Sequence, residues 1–504
     1  MQDNIKIYDM VIIGGGINGT GIAADAAGRG LSVYLCEKDD LANHTSSASS
    51  KLIHGGLRYL EHKAFRLVRE ALAEREVLLN KAPHLIKAMR FIMPHRPHLR
   101  PAWLIRTGLF FYDHLGKRKK LAGSRFISLA NAESPLKAEI TQGFEYSDCT
   151  VDDSRLVVLN AMQAREKGAD IQTRTRCIAA QREADHWLIK LENQQGIFQI
   201  KAKALVNAAG AWVAQFIQTQ LKLQSPYKMR LIQGSHIIVP RLQQDDRAFI
   251  LQNEDQRIVF VIPYLDQYSL IGTTDREYSA DPAKVVISHQ EIDYLLKVSN
   301  DHFKTQLNRT DIISCYSGVR PLYDDASDNP STITRDYILA LSSEQQLPLL
   351  SVFGGKITTY RKLAEAALEQ LQVFFPKMAG AWTATEVLPG AENLNHLEDL
   401  VFEIQHKIAD VPLQLAQRWA NAYGTRVWRM LNQANSLHDL GHDFGHGLYA
   451  KEVDYLVEVE WGMCSDDILW RRSKLGLLFS QSEIANLDEY LVKLQRLRAR
   501  EDAA

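Results

Sequence analysis

The chain opens on an apolar run, Tyr8–Ile13 (YDMVII), which reads as a short buried strand. It stops at Gly14-Gly15-Gly16 and continues as Ile17-Asn18-Gly19. The stretch GTGIAADAAGRG is small, apolar and helix-compatible, with Gly28 and Gly30 near its end as C-cap candidates. A second buried-type strand, Leu31–Cys36, closes on Glu37. Ile171–Ile200 has the pattern of a β-meander, and ALVNAAG (Ala204–Gly210) is an apolar strand ending on small residues. PLLSVFGGKITT (Pro348–Thr359) carries an apolar strand into Gly354-Gly355-Lys356, and KITTYRKLAEAALEQL follows as a helix. Past Pro389-Gly390, Leu394, Leu397, Val401, Ile404 and Ile408 recur at spacings of 3, 4, 3 and 4, an amphipathic helix. The remainder to Ala504 is mostly helical in pattern.

This pattern makes an α/β chain of two or three domains, as 504 residues exceed one core. The expected division is a body over 1–387 and a C-terminal helical cap domain over 388–504. A nucleotide-binding part of the body would be discontinuous, about 1–90, 150–215 and 330–375. The segments 91–149 and 216–329 would build a sheet-containing substrate domain. With 46% hydrophobic and 24% charged residues the composition is that of a globular protein, not a disordered one. The net charge of -1 leaves partners to local clusters. Five scattered cysteines without a C-x-x-C pair argue against disulfides or zinc and fit a reducing, cytoplasmic compartment; no metal site is expected. No secretory signal and no 18-residue apolar run is visible, so a membrane role would be played from the surface.

The first forty residues form a strand, glycine turn, helix, strand and acid, in the order of a dinucleotide site. Gly14 permits the tight turn, and Gly16 lets the backbone approach a pyrophosphate. Gly19 lets the helix lie close on the strand. The helix N-terminus offers N–H groups and the positive dipole end to phosphates. Glu37, 18 residues past Gly19, can accept bonds from ribose hydroxyls. Gly15, Ile17 and Asn18 complete the turn. This unit serves FAD and NAD alike.

Three further segments favour FAD. TSSASSKLIHGGLR (Thr45–Arg58) packs hydroxyls, a lysine, a histidine and two glycines into one loop, able to bond a pyrophosphate and a flavin edge. A solvated serine loop would hold similar residues. Ala204–Gly210 lets backbone run close under a cofactor. The helix after Gly354-Gly355-Lys356 could aim its N-terminus at a flavin pyrimidine edge and stabilise negative charge there.

GGGINGTGIAADAAGRG, TSSASSKLIHGGLRYLE, RLIQGSHIIVP, IGTTD, YSGVRPL, ITRDY and FGGKITTYRKLAE together resemble the aerobic FAD-dependent glycerol-3-phosphate dehydrogenases. LIHGGLRYLEHKAFRLVREALAERE is the most specific match, and HDFGHGLYAKEVDYLVEVEW resembles the family's cap domain. NAAGAW departs from the pattern, with alanine where a hydroxyl residue is expected before the glycine. The resemblance implies a Rossmann-type FAD domain with a sheet-containing substrate domain, as in D-amino-acid oxidase. It implies oxidation of sn-glycerol 3-phosphate to dihydroxyacetone phosphate by hydride transfer from C2 to flavin N5. Electrons would pass to ubiquinone or menaquinone in aerobic glycerol-phosphate catabolism. It places Thr45, Ser46, Ser47, Ser49, His54, Gly55, Gly56 and Leu57 on FAD, with Ala209, Gly210, Gly354, Lys356, Ile357 and Thr358. Arg58 and Arg335 would hold the phosphate, with Tyr59 and Lys356 nearby. His236 and Arg320 would be the polar pair at the reacting C2–O2 group. An arginine suits phosphate through its two parallel N–H donors, and a histidine with an ordinary pKa of about 6.5 suits a base near neutral pH.

Residues 87–120 hold nine Lys or Arg, three His and one acid, Asp113, interleaved with Phe91, Trp103, Leu104, Ile105, Leu109, Phe110, Phe111 and Tyr112. This fits docking on anionic lipid, and equally a solvated basic face. The family implies a homodimer, peripheral on the inner face of the cytoplasmic membrane. Nucleic acid is not an expected partner. Two other functions share these features: a flavin amine or amino-acid oxidase, which would consume oxygen with glycine or sarcosine, and a non-catalytic FAD-binding scaffold, whose flavin no polyol phosphate would bleach.

Overall fold

The computed structural model describes residues 6–61, 64–116, 118–324 and 336–501. Among the described residues the chain builds two sheets. The first has eight strands around Ile7–Ile13, which lies parallel between Val33–Cys36 and Gly196–Asn207. Leu349–Gly354 extends it in parallel beside Gly196–Asn207, and Tyr337–Ser342 closes that edge antiparallel. The meander expected over 171–200 is present as Arg176–Arg182, Trp187–Asn193 and Gly196–Asn207, paired antiparallel.

The helix after the glycine turn spans Ile17–Gly28, and nearly all of it is buried. Its small residues are demanded by neighbours. A Cβ on Gly19 would overlap the carbonyl oxygen of Gly14, and one on Gly21 would meet the Tyr360 ring at 2.7 Å. Gly28 is not the cap: it is the last helical residue, and a Cβ there would overlap the Trp382 indole. The left-handed turn falls on Gly30, at φ +90°.

The second sheet has ten strands. Toward one end of it Met229–Pro240 is flanked by Tyr268–Gly272 and Ser314–Tyr323, both antiparallel. The expected basic segment divides into a strand, Ile86–Pro94, and a helix, Ala102–His114. Phe91, Ile105, Leu109 and Tyr112 are buried in the core between sheet and helix, which corrects their reading as exposed. Trp103 (67% exposed), Leu104, Phe110 (58%) and Phe111 stay outside.

Helices Leu397–Lys407, Leu413–Tyr423, Ala450–Glu460 and Gln481–Glu501 follow. Leu394 precedes the first of them, whose buried face is Leu400, Ile404 and the residue after its end, Ile408. Leu394, Leu397 and Val401 pack half-buried against the same cluster, so the expected apolar face is the one that docks. Trp419, Tyr423, Leu456 and Ile468 share one hydrophobic cluster with Ile22, Ala26, Leu159 and Leu363 of the first sheet's helices. The C-terminal part is therefore packed on the nucleotide side of the body. No helix among the described residues is long and apolar enough to cross a membrane.

Candidate active site

Two cavities, of about 290 and 310 Å³, share Gly16, Thr45, Ser46, Ala208 and Gly210 and form one bent slot. The first arm ends between the two sheets. It is lined by Ile17, Asn18, Ser49, His54, Gly56, Leu57, Arg58, Tyr59, His236, Arg320, Gly354, Lys356, Ile357 and Thr358. The second arm runs past Gly14, Glu37, His44, Ala209 and Trp212.

The turn is built as the sequence requires. Gly14 lies at φ +113°, open to glycine and strained for other residues. Glu37 Oε2 accepts the Gly15 N–H at 2.7 Å, fixing the acid against the turn. Gly16 caps the helix without a side chain, and Ser46 Oγ accepts the Ile17 N–H at 3.0 Å. The walls fit a dinucleotide. Asn18 Oδ1 and Arg58 Nε are buried without a hydrogen-bond partner, and the Cβ position of Gly210, at φ +56°, faces open space.

Four expected contacts stand off the slot. Gly15 and Gly19 serve its backbone geometry. Ser47 turns its hydroxyl to the His44 carbonyl at 3.1 Å. Gly55 is packed against Tyr112, whose hydroxyl accepts the Gly55 N–H at 2.8 Å. Arg335 lies outside the described residues.

Strand register assembles the chemical end. Cross-strand pairs place His236 opposite Tyr316, Gly234 opposite Gly318 and Ile232 opposite Arg320, all on one face. The two glycines leave a bare strip between imidazole and guanidinium. A Cβ on Gly234 would overlap the Arg320 guanidinium, and one on Gly318 would meet Ala48 at 2.7 Å. Arg320 donates to Asp275 and to Thr273 Oγ1. His236 is 1% exposed and stacks on Tyr316 at 4.8 Å. Its Nε2 lies 2.9 Å from Ser50 Oγ, and its Nδ1 has no partner. Lys356 Nζ sits 3.8 Å over the Tyr59 ring, beside Arg58 on the cavity wall.

His236 departs from the ordinary imidazole. Burial, then the positive charges of Arg320 and Lys51, hold its pKa well below 6.5. It is neutral throughout the physiological range and a weaker base than its type suggests. Lys51 is held under Tyr316 by Asp153, at 2.9 and 3.0 Å, and by the Ser47 carbonyl at 3.0 Å.

Ser50 and Lys51 belong to the Thr45–Arg58 loop expected at the cofactor, where Ser50 meets His236 and Lys51 meets Asp153; Asp275 and Asp153 are additions that the structure makes. Asp275 closes the IGTTD motif, so a signal was there. Asp153 had none, being 102 residues from its partner Lys51.

A slot for a dinucleotide on a glycine turn, opening on a sheet that carries a paired guanidinium and a neutral imidazole, defines an FAD-dependent oxidoreductase. A family model described as FAD dependent oxidoreductase matches residues 9–361. A second, the C-terminal domain of alpha-glycerophosphate oxidase, matches residues 381–496. Glycerol-3-phosphate dehydrogenase of Pseudomonas aeruginosa is 62% identical over 99% of this chain and 98% of its own length. D-erythritol 1-phosphate dehydrogenase of Brucella abortus is 48% identical over 96% of this chain and 97% of its own. The structure of glycerol-3-phosphate dehydrogenase from Bacillus halodurans complexed with FAD superposes at a TM-score of 0.74 and 25% identity. It covers 98% of this chain and 91% of that one. The chain belongs to the FAD-dependent glycerol-3-phosphate dehydrogenase family.

Proposed function

We propose that the protein oxidises sn-glycerol 3-phosphate to dihydroxyacetone phosphate and delivers the electrons to a membrane quinone, ubiquinone or menaquinone. The observation that carries this reading is the meeting of Arg320, its partner Asp275 and a buried neutral His236 in the same cavity as Arg58 and Lys356. A phosphate dianion needs cations and a secondary alcohol needs polar groups at the reacting carbon, and both kinds of group line this one cavity. The name of the Pseudomonas aeruginosa relative supports the same substrate.

In this reading Arg58 and Arg335 grip the phosphate, with Tyr59 and Lys356 beside them. Bound FAD supplies the two-electron acceptor, held by Gly14 to Gly19, Glu37, the Thr45–Leu57 loop, Ala209-Gly210 and Gly354 to Thr358. Arg320 stabilises the alkoxide that forms as the C2 hydroxyl ionises. His236 receives that proton; its neutral form leaves a lone pair free, and Ser50 orients the ring. The charge on Arg320 thus lowers the pKa of the alcohol and the basicity of its acceptor together.

The helix Ala102–His114 supports contact with a membrane surface, and the same reading takes that surface as the inner face of the cytoplasmic membrane and the protein as a homodimer in aerobic glycerol-phosphate catabolism. Trp103, Leu104, Phe110 and Phe111 are exposed on it, and Arg106 lies among them. Anaerobic titration of the flavin absorbance tests the substrate. Glycerol 3-phosphate is expected to bleach it at lower concentration than D-erythritol 1-phosphate, and glycine to leave it unchanged. An unbleached flavin with glycerol 3-phosphate would refute the reading. Preference for the four-carbon phosphate would move the assignment to that relative's substrate.

A further inference from the structure

A short segment of the C-terminal part reaches the loops behind the nucleotide slot. A single π-helical turn, Asp467–Arg472, ends in Arg471 and Arg472, and Lys474 follows in the left-handed region at φ +62°. Consecutive helical side chains normally point about 100° apart. Here both guanidiniums meet one carboxylate, that of Asp40. Arg472 donates to its two oxygens at 2.8 Å each, and Arg471 Nε donates at 2.6 Å. Asp40 is 2% exposed and Arg472 1%.

Asp40 is the hidden middle of the loop whose two ends form the second arm of the slot. Glu37, Lys38 and Ala42 to Ser46 line that arm, and the Ala42 N–H returns to the Gly15 carbonyl at 3.1 Å. Arg174 ties the same loop from below: its N–H donates to the Asp39 carbonyl at 2.9 Å, and its side chain reaches Asp467 at 2.5 Å. Two residues on, Lys474 Nζ approaches Asp152 at 3.3 Å and Asp153 at 3.8 Å. Asp153 is the residue that holds Ser49 Oγ at 2.8 Å and Lys51 Nζ at 2.9 Å, on the loop lining the first arm. Arg472 also donates to the Glu460 carbonyl at 2.7 Å, which roots the segment in its own domain.

We propose that Arg471, Arg472 and Lys474 are positioning residues for the cofactor: the C-terminal domain clamps both FAD-binding loops and so sets how fast FAD leaves. This rests on the FAD site alone, and not on the identity of the substrate. The ions are buried, so removing one partner strands the other charge. A planar guanidinium that binds both oxygens is not replaced by an ammonium. The coupling is reciprocal: FAD bound between the loops must also stabilise the docked segment.

The test uses the purified holoenzyme, diluted into flavin-free buffer, with the rise of free flavin fluorescence giving the release rate. Arg472→Lys and Asp40→Asn should each speed release about tenfold or more, the scale of one charge-assisted bond. Lys474→Met should do so in the same direction. Arg418→Lys is the comparison: it breaks a pair with Glu452 inside the C-terminal domain and touches neither loop. It should lower Tm by a similar amount and leave release at the parent rate. Release at the parent rate in Asp40→Asn and Arg472→Lys overturns the proposal, and so does equally fast release in Arg418→Lys. Hydrogen exchange on the unaltered protein decides it should Arg472→Lys not fold. Residues 466–474 should exchange more slowly with FAD bound than after its removal, and identical exchange in the two forms overturns the clamp.

Discussion

Gly234→Ala perturbs the proposed chemistry without removing any charged group. The new methyl would overlap the Arg320 guanidinium and lie 2.8 Å from Thr273 Oγ1. Carbon and nitrogen atoms need about 3.5 Å, so the guanidinium must retreat by about 1 Å. The strand itself has no reason to move, since alanine suits a strand interior better than glycine by about 0.5–1 kcal/mol. What yields is the flexible end of Arg320, with its bonds to Asp275 and Thr273. Losing one charge-assisted bond costs about 1.5–3 kcal/mol, hence a fall in kcat/KM of about tenfold to a hundredfold. A 1 Å misplacement at a reacting centre has an effect of about the same size. The assay is steady-state oxidation of glycerol 3-phosphate with a soluble dye acceptor, beside flavin content and Tm. The expected result is a low kcat/KM with normal flavin loading and Tm. Activity within about twofold of the parent would show that Arg320 does not act at the position drawn here.

The pH dependence of stability follows from three buried histidines. Burial pushes His84 down to about 3 and His302 to about 4, and holds His236 well below 6.5. Below about 6.5 the unfolded chain binds protons that the folded chain refuses, so stability is whole above that pH and is lost as pH falls. Three such groups together should remove roughly 3–4 kcal/mol between pH 6 and pH 5. Unfolding by urea across that interval measures it, and a flat profile refutes the neutral, buried state of these rings. Arg335→Lys should raise KM for glycerol 3-phosphate about tenfold or more while FAD binding holds, since lysine keeps the charge and loses the fork; an unchanged KM removes Arg335 from the phosphate site. Trp103→Ser combined with Phe110→Ser should lower binding to anionic vesicles at high salt, where screening leaves the apolar contact dominant. Undiminished sedimentation would place lipid contact elsewhere. Acid precipitation should release the flavin to the supernatant, and colour left on the pellet would refute non-covalent binding.

What the sequence told and what it withheld divide along the range of the interactions. The glycine turn was legible because its constraints are local. Gly14 needs a positive φ, Gly19 faces the carbonyl of Gly14, and Glu37 reaches back to the Gly15 N–H, all within one strand–helix–strand unit. The helix after Gly355 and the meander before Asn207 were readable for the same reason. Gly55 and Ser47 were not resolved by sequence, because a small residue in a loop can serve a ligand or a neighbour, and here Gly55 packs against Tyr112 and Ser47 turns to the His44 carbonyl. Phe91 and Tyr112 looked like a lipid-facing stripe because basic residues flank them. The sheet behind them buries the rings, while Trp103 and Phe110 escape by lying on the far side of the helix.

The site depends on a longer range still. Arg320 and His236 were found through the motifs around them, but the property that decides what His236 can do, its depressed pKa, comes first from burial and then from Arg320 and Lys51, both distant in sequence. Arg320 arrives through the register of Ser314–Tyr323 against Met229–Pro240. Lys51 arrives through Asp153, and Asp153 is braced in turn by Lys474 of the C-terminal domain. No spacing rule links residues 51, 153, 236, 320 and 474. Their meeting is a product of two sheets and a docked helical domain. A substitution at Lys474, remote from any motif, is therefore expected to be felt at the flavin loop through the order of Ser49 and Lys51, while the glycine turn keeps its local geometry.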